Sequence, residues 1–415
     1  MEPDAIVIGA GAAGMMAAAT AAKRGRHVLL LEKMGQPGLK LRITGKGRCN
    51  LTNTAPLRDF LTHVGSDSRF LRNSASRFFN RELMDYFESR GVPLTVERGN
   101  RVYPTSGKAL DIFLALVTEL EESPNVEIRK NCGVRALITA DEPRRHICGV
   151  RLMDGQRVAA QHVLVATGGL SYPTTGSTGA GYTFAADAGH TVVPQVPSLV
   201  PLVCVEPIPP EAVGFGLRNV SLSVTDTDGR ELCSHFGELT FTPDGLGGPI
   251  ALSASRHVSR LLNEGHQLKA KLDLKPAVPA GDLDRRLQRD FDQNGTRLFN
   301  DALRLWLPAE LVPMALKRLH IEYYKRLHQI NAAERKRLLA FLKGAEFTLC
   351  GTRGYNEAVV TQGGVSLDEV NPKNMESRLV EGLYFAGEVL DLDADTGGYN
   401  LQLAFTTGYA AGQNI

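Results

Sequence analysis

The stretch that most limits what this chain can fold into is its start. Ala5-Ile6-Val7-Ile8 is an uncharged apolar run that feeds directly into Gly9-Ala10-Gly11-Ala12-Ala13-Gly14. Such a run reads as a strand buried on both faces of a parallel sheet. An Ala/Met-rich segment to Ala22 reads as a helix, Gly25 breaks it, and Val28-Leu29-Leu30-Leu31 is a second apolar strand ending in Glu32. Strand, glycine turn, helix, strand and acid in this order make a βαβ dinucleotide unit. Gly9 permits the tight turn, Gly11 admits a pyrophosphate to the backbone, and Gly14 lets the helix close on the strand. The free N–H groups and positive potential of the helix N-terminus favour the anion. Glu32 is expected to accept hydrogen bonds from ribose hydroxyls.

The 415 residues suffice for two or three domains, and an apolar fraction of 43% beside a charged fraction of 22% is that of a globular protein. A net charge of +2 argues neither for nor against a polyanionic partner. No apolar run approaches the ~18 residues of a membrane span. With a strand starting at Ala5, neither a signal peptide nor a membrane location is expected, and the cytoplasm is the default. The six cysteines (Cys49, Cys132, Cys148, Cys204, Cys233, Cys350) contain no C-x-x-C pair, and the histidines form no ligand pair on one helix face. No metal site is expected.

Further along, Phe70–Arg90 shows apolar residues at three- and four-residue spacings and is expected to be one helix. Val92–Val102 is expected as a hairpin, Ala109–Glu122 as an amphipathic helix and Val126–Leu137 as a strand. His162-Val163-Leu164-Val165-Ala166 is another buried-strand run, stopped by Thr167-Gly168-Gly169. The later Gly176–Gly181 stretch is not a second nucleotide site, because no strand precedes it and no acid follows at ribose distance. Prolines from Pro194 to Pro210 mark a change of texture. Beyond them Val220, Leu222 and Val224 alternate with polar residues, and Leu268–Leu274 repeats the pattern, which indicates antiparallel β structure. From Gly281 to Leu342 the period is helical, and Asn331–Glu334 has the form of a capping box. Gly382–Glu388 returns as a strand ending in Gly-Glu, followed by Asp395–Gln402 and an Ala/Gly/Thr-rich helix from about Leu401. These shifts divide the chain at 1–193, 194–276, 277–342, 343–357 and 358–415.

Taken together, the fingerprint, the Lys40–Asn53 segment ending Gly47-Arg48-Cys49-Asn50-Leu51-Thr52-Asn53, and Ala166–Gly169 resemble one flavoprotein family. Thr175–Gly179, Gly237–Thr242, Gly364-Val365 and Ala386–Asn400 extend the resemblance over nearly the whole chain. The family is the three-domain bacterial BaiN-like group that includes aminoacetone-oxidase-type proteins. The resemblance implies an α/β fold: a glutathione-reductase-like FAD-binding Rossmann domain interrupted by a β-barrel domain carrying a helical insertion. Lys46 stands between Gly45 and Gly47 where a smaller residue is expected. The cofactor-binding residues implied are Gly9, Gly11, Ala12, Ala13, Gly14, Glu32, Lys33, Lys40, Arg48, Cys49, Asn50, Val134, Ala166, Thr167, Gly168, Gly387, Glu388, Gly398, Tyr399, Asn400 and Leu401.

Lys40, Arg42, Lys46 and Arg48 place four cations within nine residues, which suits a loop along the FAD pyrophosphate and flavin edge. Glu388 is expected against a ribitol hydroxyl. The helix after Gly397-Gly398 is expected to aim its N-terminus at the flavin pyrimidine, a stabilisation of ~0.3–2 kcal/mol for the reduced anion. Cys49, without a second cysteine nearby, is a neighbour of the flavin and not a redox thiol. Tyr172, Thr242 and Tyr399 are candidates for the substrate face, and Phe241–Pro249 for a loop over the flavin. No residue is assigned a catalytic role.

The chemistry expected is hydride transfer between a small organic substrate and flavin N5. NAD(P)H enters only as a transient donor, since no second fingerprint exists. Within this class an amine oxidase releasing peroxide competes with a reductase. A flavin-containing RNA-associated protein is a further alternative, based on the Arg285/Arg286/Arg289, Lys317/Arg318 and Arg335/Lys336/Arg337 clusters. Interleaved acids make solvated helix faces the better account of them, so a nucleic-acid partner is not expected. The sequence does not specify the oligomeric state.

Overall fold

The apolar runs at the N-terminus become adjacent parallel strands in the computed structural model, which describes residues 2–65, 68–142 and 144–415. Two compact units make up the chain, Met1–Pro197 with Ala358–Ile415, and Ser198–Glu357. The first is built on β1 (Ala5–Ile8), α1 (Ala12–Lys23), β2 (Val28–Leu31), α2 (Ala109–Glu122), β3 (Val126–Arg129), β4 (His162–Val165), β5 (Leu383–Phe385) and α3 (Tyr399–Gly412). The strands are all parallel, in the order β5-β4-β1-β2-β3, with Ala5 opposite both Val28 and His162. This is a Rossmann-type sheet.

Side-chain size sets the packing of this unit. Helix α1 is buried from Ala13 to Ala22, and its small residues let it be covered on several sides. A Cβ on Gly14 would lie 1.9 Å from the Gly9 carbonyl oxygen, so helix and turn fit only with glycine there. Helix α3 crosses α1 at Gly408 and Gly412, where a Cβ would come within 2.3 Å of Ala13 O and 2.5 Å of Ala17 O. The Ala/Gly-rich composition of α3 is therefore a requirement of close helix contact.

Three expectations about the first unit are corrected. Phe70–Arg90 is not one helix: Arg72–Ala75 and Asn80–Glu88 are separate. Phe79 is extended, and its N–H donates to Glu82 Oε2 at 2.9 Å, which starts a new helix. Phe78 and Phe79 then take different partners, Phe78 stacked on Tyr409 and Phe79 edge-on to Phe60. Val126–Leu137 is two strands, broken where Asn131 adopts φ +56°; Val134–Ala140 pairs antiparallel with His146–Leu152 instead of joining the central sheet. The last helix starts at Tyr399, two residues before the expected position.

The second unit holds a closed antiparallel barrel. Its strands, in spatial order, are Leu202–Cys204, Gly245–Gly247, Glu231–Thr242, Gly216–Thr225, Leu268–Asp273 and Ala345–Thr352. The alternation read from sequence is that of the barrel wall: Val220, Leu222 and Val224 are buried and the residues between them are more exposed. Gly245–Gly247, expected within a loop, is a barrel strand, and Pro249 opens the helix Pro249–Asn263. Between the last two barrel strands lie helices including Ala280–Gln293, Val312–Leu319 and Ala332–Gly344. Asn331 caps the last of these: its Oδ1 accepts from Glu334 N, and Glu334 Oε2 accepts from Asn331 N, each at 2.9 Å. Acids partner the basic clusters, as in Arg285–Asp282, Arg286–Asp290 and Arg335–Asp284. Among the described residues no helix is long and apolar enough to cross a membrane, and no group of three or more acids, cysteines and histidines is placed to hold a metal.

A half-buried acid joins three elements of the first unit. Glu119 on α2 accepts from Arg90 at 2.8 and 2.9 Å, from Lys23 at 2.6 Å, and from Tyr86. Burial pushes its carboxyl up, but the hydrogen bonds from Arg90, Lys23 and Tyr86 outweigh burial and bring it down to about 2. A group depressed on folding contributes stability above its unfolded value, ~4.3, and loses it as pH falls from there through the folded value. We expect Glu119→Gln to remove on the order of 3 kcal/mol at pH 7 and to flatten the stability profile between pH ~4.5 and ~2. Urea melts of both proteins across that window check this, and parallel profiles would refute it.

Candidate functional site

Parallel strands bring their C-terminal ends to one edge of the sheet, the edge at which open α/β sheets bind ligands. Here that edge gathers four of the segments singled out in the sequence. Gly9–Gly14 follows β1, Glu32 follows β2, Ala166–Gly169 follows β4, and Ala386–Glu388 follows β5. Gly9 has φ +102° and no room for a Cβ, which would lie 2.6 Å from Ala166 O. Gly387, at φ +77°, would bring a Cβ within 2.9 Å of Ala13 Cβ. Gly11 differs. Its φ is −85° and a Cβ there meets nothing within 4 Å, so no protein contact requires glycine at that position. Ala12 begins α1, and Ala13 lies beside Gly387 and Gly408.

The two oxygens of Glu32 are held by backbone donors, Oε2 by Ala10 N at 3.0 Å and Oε1 by Met34 N at 2.8 Å. Burial pushes this carboxyl up, while those N–H groups pull it down less strongly. The carboxylate is thereby aimed with lone pairs to spare. Burial lowers the neighbouring Lys33, whose Nζ donates to Thr178 Oγ1 at 2.6 Å. The Gly176–Gly181 stretch thus abuts the acid end of β2. Val134 is close by in the chain, next to Gly133, where a Cβ would lie 3.7 Å from Lys33 Cβ.

Three segments converge on Glu388. Lys40 Nζ donates to Glu388 Oε2 at 2.5 Å and to Ser171 Oγ at 2.6 Å. The Ser171 hydroxyl donates to Glu388 Oε1 at 2.6 Å, and Thr361 N to the same oxygen at 2.9 Å. Thr361 Oγ1 in turn accepts from Leu170 N and Ser171 N. Gly169 has no room for a side chain here, its Cβ falling 2.5 Å from Thr361 Oγ1. Sequence reading found Lys40 and Glu388 and missed Ser171 and Thr361. The left-handed φ of Tyr172 (+53°) marks the spot, but only once the backbone is known.

The Arg48–Asn53 string turns out to brace the start of α3. The Thr52 hydroxyl donates to Gln402 Oε1 at 2.5 Å, and Gln402 Nε2 to Thr406 Oγ1 at 2.9 Å. Asn53 Nδ2 donates to Gly397 O and Gly99 O, each at 3.1 Å. Gly398, at φ +93°, would put a Cβ 2.2 Å from Thr52 O. Asn400 secures the loop before it, exchanging hydrogen bonds with Ala394 and donating to Asp395 O. Leu401 packs against the apolar core. Tyr399 stacks on His63, whose Nδ1 lies 2.9 Å from Asp395 Oδ2; burial and Asp395 raise the phenol.

The remaining expected residues are less alike. Arg48 is half exposed, paired with Glu97 at 2.5 Å and lying over the Tyr103 ring. Cys49 is fully buried, with its thiol pushed up to about 12 by burial, so it is neutral and inert. Asn50 Oδ1 and Thr167 Oγ1 are buried without a hydrogen-bond partner among the described residues. Gly168, at φ +72°, lies against Ser177.

The HI0933-like protein Rossmann domain family matches residues 3–414. A 3-dehydro-bile acid delta(4,6)-reductase of Clostridium scindens is 35% identical over 410 residues, covering 98% of this chain and 97% of that protein. A ribosomal RNA dihydrouridine synthase of Escherichia coli is 32% identical over 416 residues, covering 99% and 98%. Among solved structures, a 3-ketosteroid delta1-dehydrogenase from Sterolibacterium denitrificans aligns over 99% of both chains with TM-score 0.52 and 14% identity. That last likeness is one of fold.

Proposed function

This chain belongs to the HI0933-like Rossmann family, and from that premise we propose that it is a reductase of a carbon–carbon double bond conjugated to a carbonyl. It is an FAD-dependent oxidoreductase; the bond it acts on is our inference. The names of the two relatives carry it. A 3-dehydro-delta(4,6) compound has double bonds in line with a ketone, and dihydrouridine is uridine saturated across the bond conjugated to its C4 carbonyl. Both reactions add one hydride and one proton to an electron-poor alkene.

The site fits FAD on two observations. Gly11 is glycine without any protein contact demanding it, as the approach of a pyrophosphate to the backbone requires. Asn50 and Thr167 each keep a buried polar oxygen without a hydrogen-bond partner among the described residues, and such atoms normally have one. When bound and reduced by two electrons, FAD would supply the hydride and return to its oxidised form. In this reading Glu32 holds the adenosine ribose, the α1 N-terminus faces the pyrophosphate, and Glu388 with Lys40 lies along the ribityl and flavin edge. The start of α3, fixed by Thr52, Asn53 and Asn400, would offer its first-turn N–H groups to the flavin pyrimidine and would favour negative charge there. NAD(P)H is a transient donor only, so both nicotinamides are expected to reduce the flavin slowly and without saturation.

The test removes the need for a donor. The protein is reduced with dithionite under argon and mixed with a 4,6-dien-3-one steroid, or with a ribosomal RNA fragment containing uridine. Reoxidation of the flavin by either one, with the product lacking one carbon–carbon double bond in equal amount, supports the reading. Reoxidation by neither, together with fast reduction of oxidised enzyme by a primary amine and peroxide release, would overturn it in favour of an oxidase. Glu32→Ala provides a separate check on the cofactor. Loss of hydrogen bonds to a charged acceptor costs ~1.5–3 kcal/mol, so we expect FAD affinity to fall about 10- to 150-fold with the chain still folded. Isothermal titration of apoprotein with FAD measures this, and unchanged affinity argues against Glu32 as the ribose acceptor.

A further inference from the structure

Within the second unit a cavity of about 540 Å³ opens between the barrel and its helices, a size common for small-molecule sites. Pro207, Pro209, Met314 and Phe341 form its apolar wall, and Glu206, Lys317, Arg318, His320 and Glu346 its polar side. None of these residues belongs to the Rossmann-type unit that carries the proposed flavin site.

Two cations and two acids line this cavity, but Arg318 keeps hydrogen-bonding capacity to spare. Arg318 is fixed by Nη1 donating to Glu346 O at 2.6 Å and by its guanidinium lying 4.3 Å over the Phe347 ring. Its Nη2 is buried without a hydrogen-bond partner among the described residues. Burial lowers this guanidinium and Glu206 only partly offsets it, so the cation is short of compensation. The nearby acids are committed elsewhere. Both Glu206 oxygens accept from Thr348, at 2.7 and 2.9 Å, and the Glu346 carboxylate pairs with Lys271 at 3.4 Å. Arg337 takes the last carbonyls of the helix Val312–Leu319, donating to Leu319 O at 2.9 Å and His320 O at 3.4 Å. The negative end of that helix therefore has its own cation, and Lys317 and Arg318 are not consumed by it.

We propose that this cavity is a binding site for an amphipathic anion, a carboxylate or phosphate on an apolar body, with Arg318 and Lys317 taking the headgroup and Met314, Phe341 and the two prolines the body. The guanidinium fork suits the planar or tetrahedral oxyanion, and the prolines, together with a guanidinium already fixed over Phe347, leave little to order on binding. The inference is independent of the reaction proposed for the flavin site.

The probe is 11-(dansylamino)undecanoic acid, titrated into the FAD-loaded full-length protein and followed by its fluorescence. Saturable micromolar binding is expected, with competition by dodecanoate and dodecyl phosphate and none by dodecanoate methyl ester or acetate. Of the two competitors, the tighter one tells a fatty carboxylate from a phosphorylated lipid as the ligand source. Arg318→Met is expected to weaken binding at least 10-fold. Because loss of its stack on Phe347 can itself disturb the barrel, Ala340→Trp, at an exposed position on the cavity rim, serves as a second variant that fills the space without touching the cation. It too is expected to weaken binding at least 10-fold, with thermal midpoint and FAD content as in the parent. Equal competition by the methyl ester, or wild-type binding by Ala340→Trp, would overturn the proposal.

Discussion

Gly11→Val will fold like the parent protein and purify without its yellow cofactor. The first half follows from the backbone. Gly11 has φ −85° and ψ −171°, an extended conformation that a β-branched residue adopts without strain, and a Cβ there touches nothing within 4 Å. A substitution at a position with open space around its Cβ is expected to change stability by ~0.5 kcal/mol or less. The second half follows from the fingerprint. In a βαβ dinucleotide unit the second glycine is the point of closest backbone approach to the pyrophosphate, and an isopropyl group stands in that path. We expect FAD affinity to fall by at least about 100-fold, some 3 kcal/mol. Gly14→Ala is the informative contrast, because its methyl group would lie 1.9 Å from Gly9 O and must disturb the packing of α1 itself. Flavin absorbance after reconstitution, beside circular dichroism and thermal midpoints, separates the two. Full FAD retention by Gly11→Val would remove the pyrophosphate assignment.

That contrast also explains why part of this protein could be read in advance. The demand on Gly14 comes from within a few residues of chain, the Gly9 carbonyl, whereas the one on Gly9 comes from Ala166 on a distant strand end and is legible only through the motif. The barrel was readable for a similar reason, since alternation of Val220, Leu222 and Val224 is a local record of which face is buried. Periodicity failed where two short elements share one apolar stripe. Phe78, Phe79, Leu83 and Phe87 keep helical spacing, yet the backbone breaks at Phe79 because its neighbours Phe60 and Tyr409 draw the two rings apart.

The hydrogen-bond network of the candidate site was legible only in part. Glu388 carries a Gly-Glu signature at a strand end, but its partners come from distant segments. Ser171 is 217 residues away, Lys40 is 348 away and Thr361 is 27 away across a turn of irregular chain. Nothing in the sequence near Ser171 or Thr361 distinguishes them from other loop hydroxyls. The same is true of Thr52 and Gln402, 350 residues apart. Such pairings depend on sheet topology, and no local period encodes that.

Separating Lys40 from Glu388 is expected to be among the most damaging single changes to the first unit. Their side chains are 23% and 19% exposed, so each charge is largely withdrawn from water and compensated mainly by the other. Breaking such a pair from one side costs ~3–5 kcal/mol when fully buried, and the residual exposure here moves the expectation to the lower end. Glu388→Ala loses most, since it strips an acceptor from Lys40 Nζ, Ser171 Oγ and Thr361 N together. Glu388→Gln keeps an acceptor for the Thr361 N–H and should lose less. Lys40→Met leaves an acid with two donors and no cation. The double variant Lys40→Met/Glu388→Gln removes both charges, so it should be more stable than the sum of its parts by ~0.5–3 kcal/mol. Urea denaturation of the four apoproteins measures this coupling without any cofactor. The flavin potential of the loaded proteins then asks a different question. If the cation lies along the flavin edge, Lys40→Met makes the reduced anion harder to form and the potential more negative, whereas a purely structural pair leaves the potential where it was. Additive stabilities would show that the two charges do not depend on each other, and the network would then be no more than a set of independent surface contacts.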